Sequence, residues 1–318
     1  MLTQTITDSR AWRAGSIDPG HSWYYPLSQM CLEALDETVQ TLRREPRPTC
    51  DVSVSDSSLA NCRNDFRPVL DALESGRGFA IITGLPCERY SVAEQQTAYW
   101  LVGQMLGRPV PQNVQNTLLY DVRDTGQDVR SGARYSVTNA ETGFHTDNSF
   151  GATVVDYVGL LCINAAMSGG ENQVVSAYSA YNELLAKHAD LLEMLYQPFH
   201  VDRRGGLRAG DSPTISVPIL VHQDGELLCR YLRYWIQVGH EKAGQSLTGE
   251  QIKALDTFDN VLRNPDLQVE FTLRPGEMFF INNRWILHNR SAFKDYPEPE
   301  RRRHYVRLWL EEKEPRTQ

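Results

Sequence analysis

Gly143-Phe144-His145-Thr146-Asp147-Asn148-Ser149-Phe150 sets the reading of this chain. In an extended segment, residues i and i+2 point to the same side. His145 and Asp147 can therefore reach one ion together. Two histidines and a carboxylate on one face, with the opposite positions open, suit a non-haem Fe(II) centre. A long apolar segment, Tyr157 to Ala166, follows closely, so the pair stands at the edge of a core strand.

His-x-Asp occurs twice more, as His200-Val201-Asp202 and His222-Gln223-Asp224. Asp224 precedes Gly225 between two apolar runs and reads as a hairpin turn residue. Asp202 leads into Arg203-Arg204-Gly205-Gly206, which also reads as a turn. Both copies are expected in surface loops.

Outward from the first copy, residues 154–164, 172–176, 269–273, 277–281, 285–289 and 305–310 read as strands. Residues 215–221 and 226–231 read as a hairpin. Helical spacing recurs over 28–44, 59–74, 91–106, 177–195 and 248–264, with a short buried strand at 78–84. Many short strands preceded by helices predict an α+β fold, a β-sandwich or jelly roll decorated with helices. A parallel α/β fold would need strands and helices alternating throughout. We expect a single domain over 1–318, with an N-terminal helical part (about 1–110). The polar stretch 112–142, interrupted only by Leu118-Leu119-Tyr120-Asp121-Val122, suits a lid over the metal.

Composition narrows the function. The chain has 318 residues, 41% hydrophobic and 23% charged, which is ordinary for a globular protein. A net charge of -8 and a pI near 5.5 argue against nucleic acid as a partner. No segment approaches the roughly 18 apolar residues that span a bilayer, and Met1 to Arg10 lacks the apolar core of a signal peptide. Six cysteines without CxxC spacing read as free thiols of a cytoplasmic protein. The expected partner is a small-molecule substrate; nothing here fixes an oligomeric state.

The second histidine is sought in Asn282-Asn283-Arg284-Trp285-Ile286-Leu287-His288-Asn289-Arg290, where His288 ends a short apolar run. Beyond it lies Arg303-His304-Tyr305-Val306-Arg307-Leu308-Trp309-Leu310. If this segment is extended, Arg303, Tyr305 and Arg307 share one face. Two guanidiniums beside a metal make a strong carboxylate site, since each binds one bidentately.

With these pieces in hand, the sequence resembles the taurine dioxygenase (TauD-type) family of Fe(II)/2-oxoglutarate-dependent oxygenases. The resemblance rests on His145-Thr146-Asp147-Asn148, Gly159-Leu160-Leu161-Cys162, Gly169-Gly170-Glu171-Asn172, Pro275-Gly276-Glu277, Asn282-Asn283-Arg284 through His288, and Arg303 through Leu310, in the family's order. It implies a double-stranded β-helix (jelly roll) core. It implies that His145, Asp147 and His288 bind Fe(II) and form the catalytic centre, with dioxygen and 2-oxoglutarate as co-substrates. It implies that Arg303 pairs with the distal carboxylate of 2-oxoglutarate. The family often has Thr where this chain has Asn172; an amide NH2 can donate the same bond.

The resemblance also implies decarboxylation of 2-oxoglutarate to succinate and CO2, coupled to oxidation of a substrate C–H. Asp147 is retained where related halogenases carry a small residue, so hydroxylation is expected, with desaturation, epoxidation or ring formation as alternatives. A catalytically silent jelly-roll binding module is the alternative of another class, and a zinc hydrolase a third. Arg307 would be a costly cation if left unpaired. The expectation is that it meets an anionic group of the substrate, a carboxylate first, as in an amino acid or natural-product intermediate. Ser136 and Asn139 are further substrate-contact candidates.

Overall fold

Runs of buried apolar residues build a seven-stranded sheet. Across it the strands are Tyr24–Pro26, Phe79–Thr83, Met278–Asn282, Tyr157–Asn164, His304–Glu311 and Arg108–Pro109, with Leu119–Val122 also paired to His304–Glu311. All pairings are antiparallel except that of Tyr24–Pro26 with Phe79–Thr83. The central strands are apolar on both faces because both are covered. Ala80, Tyr157, Leu161, Phe280, Val306 and Leu308 pack with the N-terminal helices. Phe79, Ile81, Val158, Phe279, Tyr305 and Trp309 turn the other way.

That second face meets a three-stranded sheet, Gln268–Phe271, Asn172–Ser176 and Ile286–Arg290. Phe271 bridges the two sheets, with its ring 4.9 Å from Phe279 and 6.3 Å from Phe79. Two antiparallel layers around one core, with helices outside, make the α+β jelly roll that the strand pattern predicts. The structure, a computed structural model, describes residues 3–17, 22–128, 133–151, 153–204, 210–223 and 225–313.

The helices start where side chains satisfy their free N–H groups. Ser28 accepts from Cys31 N at the head of Gln29–Arg44. Ser91 with Glu94, and Thr248 with Gln251, form capping boxes for Val92–Leu106 and Gly249–Leu262. Val92–Leu106 lies close on the large sheet. A Cβ on Gly103 would stand 2.2 Å from Leu308, and one on Gly159 2.4 Å from the Tyr99 hydroxyl.

Several expectations are corrected. Residues 118–122 are not a loop island: Leu119–Val122 pairs in register with Tyr305–Leu308. The helix expected over 177–195 is two, Ala177–Lys187 and Ala189–Met194, broken at His188. The expected strand 215–221 divides: Thr214–Pro218 pairs with Pro198–Asp202, and Leu220–Gln223 with Glu226–Cys229. Arg233–Lys242 is a helix that the sequence pattern did not announce. Asp202 is buried, with Lys242 Nζ 2.8 Å from its carboxylate. Asp224 and Gly205-Gly206, read as turn residues, lie outside the described residues. No helix of the described residues is long and apolar enough to cross a membrane.

Candidate active site

His145 and His288 are held by the backbone first. His145 N donates to His288 O at 3.0 Å, and His288 N to His145 O at 2.9 Å. This reciprocal antiparallel bridge puts both side chains on one side, with ring centroids 4.2 Å apart. The Nδ1–H of His145 donates to Gly143 O at 2.9 Å, which leaves Nε2 as the free lone pair. Asp147 Oδ1 lies 3.5 Å from His145 Nε2 and 3.9 Å from His288 Nε2. Each of the three residues offers a ligand atom within 4.8 Å of the others.

Asp147 is aimed by its surroundings. Its N–H donates to Asn283 Oδ1 at 2.7 Å, and Asn283 Nδ2 donates back to Asp147 O at 3.0 Å and to Val155 O at 3.1 Å. Its Oδ2 is taken by two donors, Trp309 Nε1–H at 2.7 Å and Arg307 at 3.0 Å. Oδ1 is left to face the imidazoles. Burial alone would raise the Asp147 pKa; the Arg307 charge and the two histidines reverse this and hold it well below the carboxylate range. Burial and the neighbouring His145 push His288 down to about 3, so its ring is neutral. An ionised carboxylate and neutral imidazoles are the donor forms that a divalent metal requires.

This pairing overturns one expectation. Arg307 was to meet an anion of the substrate; it meets Asp147, and its Nε donates to Gln112 Oε1 at 2.7 Å. A protein carboxylate neutralises it, so the argument for a substrate carboxylate opposite Arg307 falls.

Next to the three ligands is a pocket of unmatched donors. Arg303 is 2% exposed; its Nε and one terminal nitrogen have no acceptor, and its guanidinium lies 3.7 Å from the Tyr305 ring centre. Asn172 is buried and its Nδ2 has no acceptor. Arg290, to which the sequence reading gave no role, is the cross-strand partner of Asn172 and stands two residues beyond His288 on the same strand face. Its Nε is also buried without an acceptor. Burial lowers the pKa of both arginines, and Arg303 helps push Arg290 down to about 9. Two buried guanidiniums and an amide turned into one space are costly unless an anion joins them.

All of these groups line one cavity, together with Tyr135, Ser136, Leu232 and Trp235. Ser136 is thus where a substrate contact could form. Asn139 is not: it is exposed and outside that lining, and its carbonyl accepts from Phe293 N. His200, Asp202 and His222, from the other two copies, do not line the cavity. A second set of ligand-type side chains, Cys31, Cys62 and Asp65, sits among the N-terminal helices. There burial pushes the Cys31 thiol up to about 12, and its Sγ donates to Asp65 Oδ2 at 3.2 Å.

The family model described as "Taurine catabolism dioxygenase TauD, TfdA family" matches residues 41–309. The chain belongs to the TauD, TfdA family. This TauD-family dioxygenase is 29% identical over 315 residues to FR-33289 synthase of Streptomyces rubellomurinus, covering 98% of this chain and 91% of the relative. It is 27% identical over 319 residues to a taurine hydroxylase-like protein of Stachybotrys chartarum, covering 96% and 80%. Its fold matches that of asparagine oxygenase in complex with Fe(II), 2S,3S-3-hydroxyasparagine and succinate, with a TM-score of 0.68 at 17% identity over 91% of this chain and 93% of the other.

Proposed function

We propose that this TauD-family oxygenase hydroxylates an unactivated C–H bond of a small molecule, with Fe(II) held by His145, Asp147 and His288 and 2-oxoglutarate held by Arg303, Arg290 and Asn172. The observation that carries this reading is the cluster of acceptor-less buried donors beside three converging ligand atoms. Fe(II) suits the donor set, two imidazoles and one carboxylate. The co-substrate suits the donor pocket, since its distal carboxylate offers four lone-pair sites to two guanidiniums and an amide.

With iron and 2-oxoglutarate held there, dioxygen would be the oxidant: one oxygen atom would enter the succinate formed as CO2 leaves, and the other would turn C–H into C–OH. The chain's own part is positional. Trp309 and Arg307 hold one oxygen of Asp147 so that the other faces the metal. Gln112 fixes Arg307 in turn. Arg303, braced on Tyr305, sets the far end of the co-substrate and thereby its orientation. The apolar walls, Leu232 and Trp235 among them, keep water from the reacting carbon. Tyr135 and Ser136 close one side of the cavity.

Retention of Asp147 favours hydroxylation over halogenation. The donor pocket has no use in a zinc hydrolase. Six free cysteines suit a reducing compartment, and we place the enzyme in the cytoplasm. Anaerobic addition of Fe(II) and then 2-oxoglutarate should produce a metal-to-ligand charge-transfer band. Admission of O2 with a substrate library should release succinate in proportion to the substrate oxidised. Absence of the band would defeat the reading.

A further inference from the structure

We infer that Cys31, Cys62 and Asp65 form a binding site for Zn(II), and that the ion fastens the first two long helices of the chain to each other. The site takes no part in the proposed oxidation and stands independently of it.

The residues come in two pairs of equal spacing, Ser28-x-x-Cys31 and Cys62-x-x-Asp65. Ser28 caps the helix Gln29–Arg44, and Cys62 stands at the cap of Arg63–Glu74. A cap residue and the one three positions on are neighbours at a helix start. The meeting of the two helix ends then brings both pairs to one point. Cys31 Sγ, Cys62 Sγ and an Asp65 carboxylate oxygen all lie within 4.8 Å of one another. Cys31 Sγ is 3.2 Å from Asp65 Oδ2, which also accepts from the Ser28 hydroxyl. Tetrahedral zinc, bonded at about 2.3 Å to sulfur and about 2.0 Å to oxygen, sets sulfur and oxygen about 3.5 Å apart and two sulfurs about 3.8 Å apart. The three side chains are thus near the spacing of a ligand set.

Burial gives the site an inside and an outside. Both cysteines are 0% exposed, in an apolar cluster with Leu35, Leu59, Phe66 and Val69. Asp65 is exposed. The carboxylate marks the side from which an ion enters, and the sulfurs the side where it is held. Burial keeps the Cys31 thiol protonated while no ion is bound, but a coordinating thiol gives up its proton outright. Capture replaces the two S–H bonds by two Zn–S bonds and releases two protons to water. Two thiolates and a carboxylate then carry three negative charges against two on the ion. The charge left over sits between two helix N-termini, whose partial positive ends favour it. The Ser28 hydroxyl or a water fills the fourth position. Sulfur ligands select Zn(II) over Mg(II) and Ca(II), which take oxygen.

The chain gains a fastening where its regular structure is sparse. Between the two helices, residues 45–62 form only short 3-10 turns, Thr49–Asp51, Val54–Asp56 and Ser58–Cys62. A connection of this length inside a compact domain is uncommon. An ion bonded to Cys31 and Cys62 closes it at both ends. The site lies in the helical layer, across the large sheet from the face on which Trp309 meets Asp147.

The test is a Co(II) titration of the full chain, anaerobic and with a phosphine reductant. Thiolate ligands give Co(II) an intense near-ultraviolet sulfur-to-metal band, which two imidazoles and a carboxylate cannot give. The band should saturate at a single sulfur-bound ion per chain and vanish when an equivalent of Zn(II) is added. Cys31→Ala and Cys62→Ala should each abolish it. Cys50→Ala, which removes an exposed thiol outside the cluster, should leave it unchanged. Asp65 is exposed, so its variants probe the site without disturbing the core. Asp65→Asn should weaken Co(II) binding at this band at least about tenfold, and Asp65→Cys should restore the affinity and strengthen the band. In His145→Ala, where the other metal site is broken, saturating Zn(II) should raise the melting temperature by a few degrees, and a chelator should reverse the rise. No sulfur band in the wild type, a band that survives in Cys62→Ala, or no stabilisation by Zn(II) would each overturn the inference.

Discussion

Trp309→Phe removes the indole N–H that holds Asp147 and trims a buried ring beside Arg307. Trp309 is buried, and its Nε1–H donates at 2.7 Å to Asp147 Oδ2. Phenylalanine keeps an aromatic body on the same face of the last strand. A hydrogen bond to a charged acceptor contributes about 1.5–3 kcal/mol. Arg307 remains 3.0 Å from the same oxygen, so Asp147 keeps its charge partner and stays ionised. What is lost is the second restraint on carboxylate rotation. Partners that orient metal ligands in this way are worth about ten- to a hundredfold in metal affinity, or roughly 1.4–2.7 kcal/mol, within the range expected for the bond itself. The variant should therefore bind Fe(II), or Co(II) as a spectroscopic stand-in, ten- to a hundredfold more weakly in an anaerobic titration. The metal-free protein should stay folded and melt a few degrees below the native temperature, since a buried hydrogen bond and part of a buried ring are lost. An unchanged metal affinity would mean that Arg307 alone aims the carboxylate, and the orienting role given to Trp309 would be wrong.

His145→Ala, Asp147→Ala and His288→Ala should each abolish succinate release while circular dichroism stays native; activity surviving in His145→Ala would show that the metal lies elsewhere. Arg303→Ala should raise the KM for 2-oxoglutarate by an amount equivalent to about 2–5 kcal/mol, and Asn172→Ala by about 1–2 kcal/mol, both read from initial rates at saturating substrate. Arg290→Met should also raise that KM, by less than Arg303→Ala; a KM at the native value would remove Arg290 from the co-substrate pocket. Gly159→Ala should cost about 1–3 kcal/mol in denaturant unfolding, because the added Cβ would lie 2.4 Å from the Tyr99 hydroxyl and 2.6 Å from the Phe280 ring.

What could be read in the sequence was what local chemistry dictates. The strands Tyr157–Asn164 and Met278–Asn282 stand out because apolar residues fill both their faces. The capped helices stand out because Ser91 with Glu94, and Thr248 with Gln251, lie three residues apart. His145, Asp147 and His288 could be named because their pattern is short and their order fixed.

What could not be read was decided by contacts distant in the chain. Leu119–Val122 is too short to declare itself, and its partner strand comes more than 180 residues later. Arg233–Lys242 carries Gly239, a poor helix former, where a Cβ would lie 2.4 Å from His200 O. Its reason is therefore packing. Arg307 looked unpaired only because Asp147 is 160 positions away. Arg290 is one more polar residue at a strand end until its register with Asn172 is known.

The bridge between His145 and His288 has a consequence for how metal is lost. Two backbone hydrogen bonds lock a loop onto a strand, so the spacing of the imidazoles belongs to the backbone and needs no ion to create it. Metal capture does not have to order its own ligands, and little of its binding energy goes into shaping the chain. The same lock makes escape a gated event. Once both histidines are bonded to the ion, release requires the His145 loop to peel from the strand, and its rate is capped by the frequency of that local opening. Slow amide hydrogen exchange at His145 and His288 would thus report the lifetime of the loaded enzyme under a chelator. Substitutions that loosen the loop would shorten that lifetime without touching a ligand.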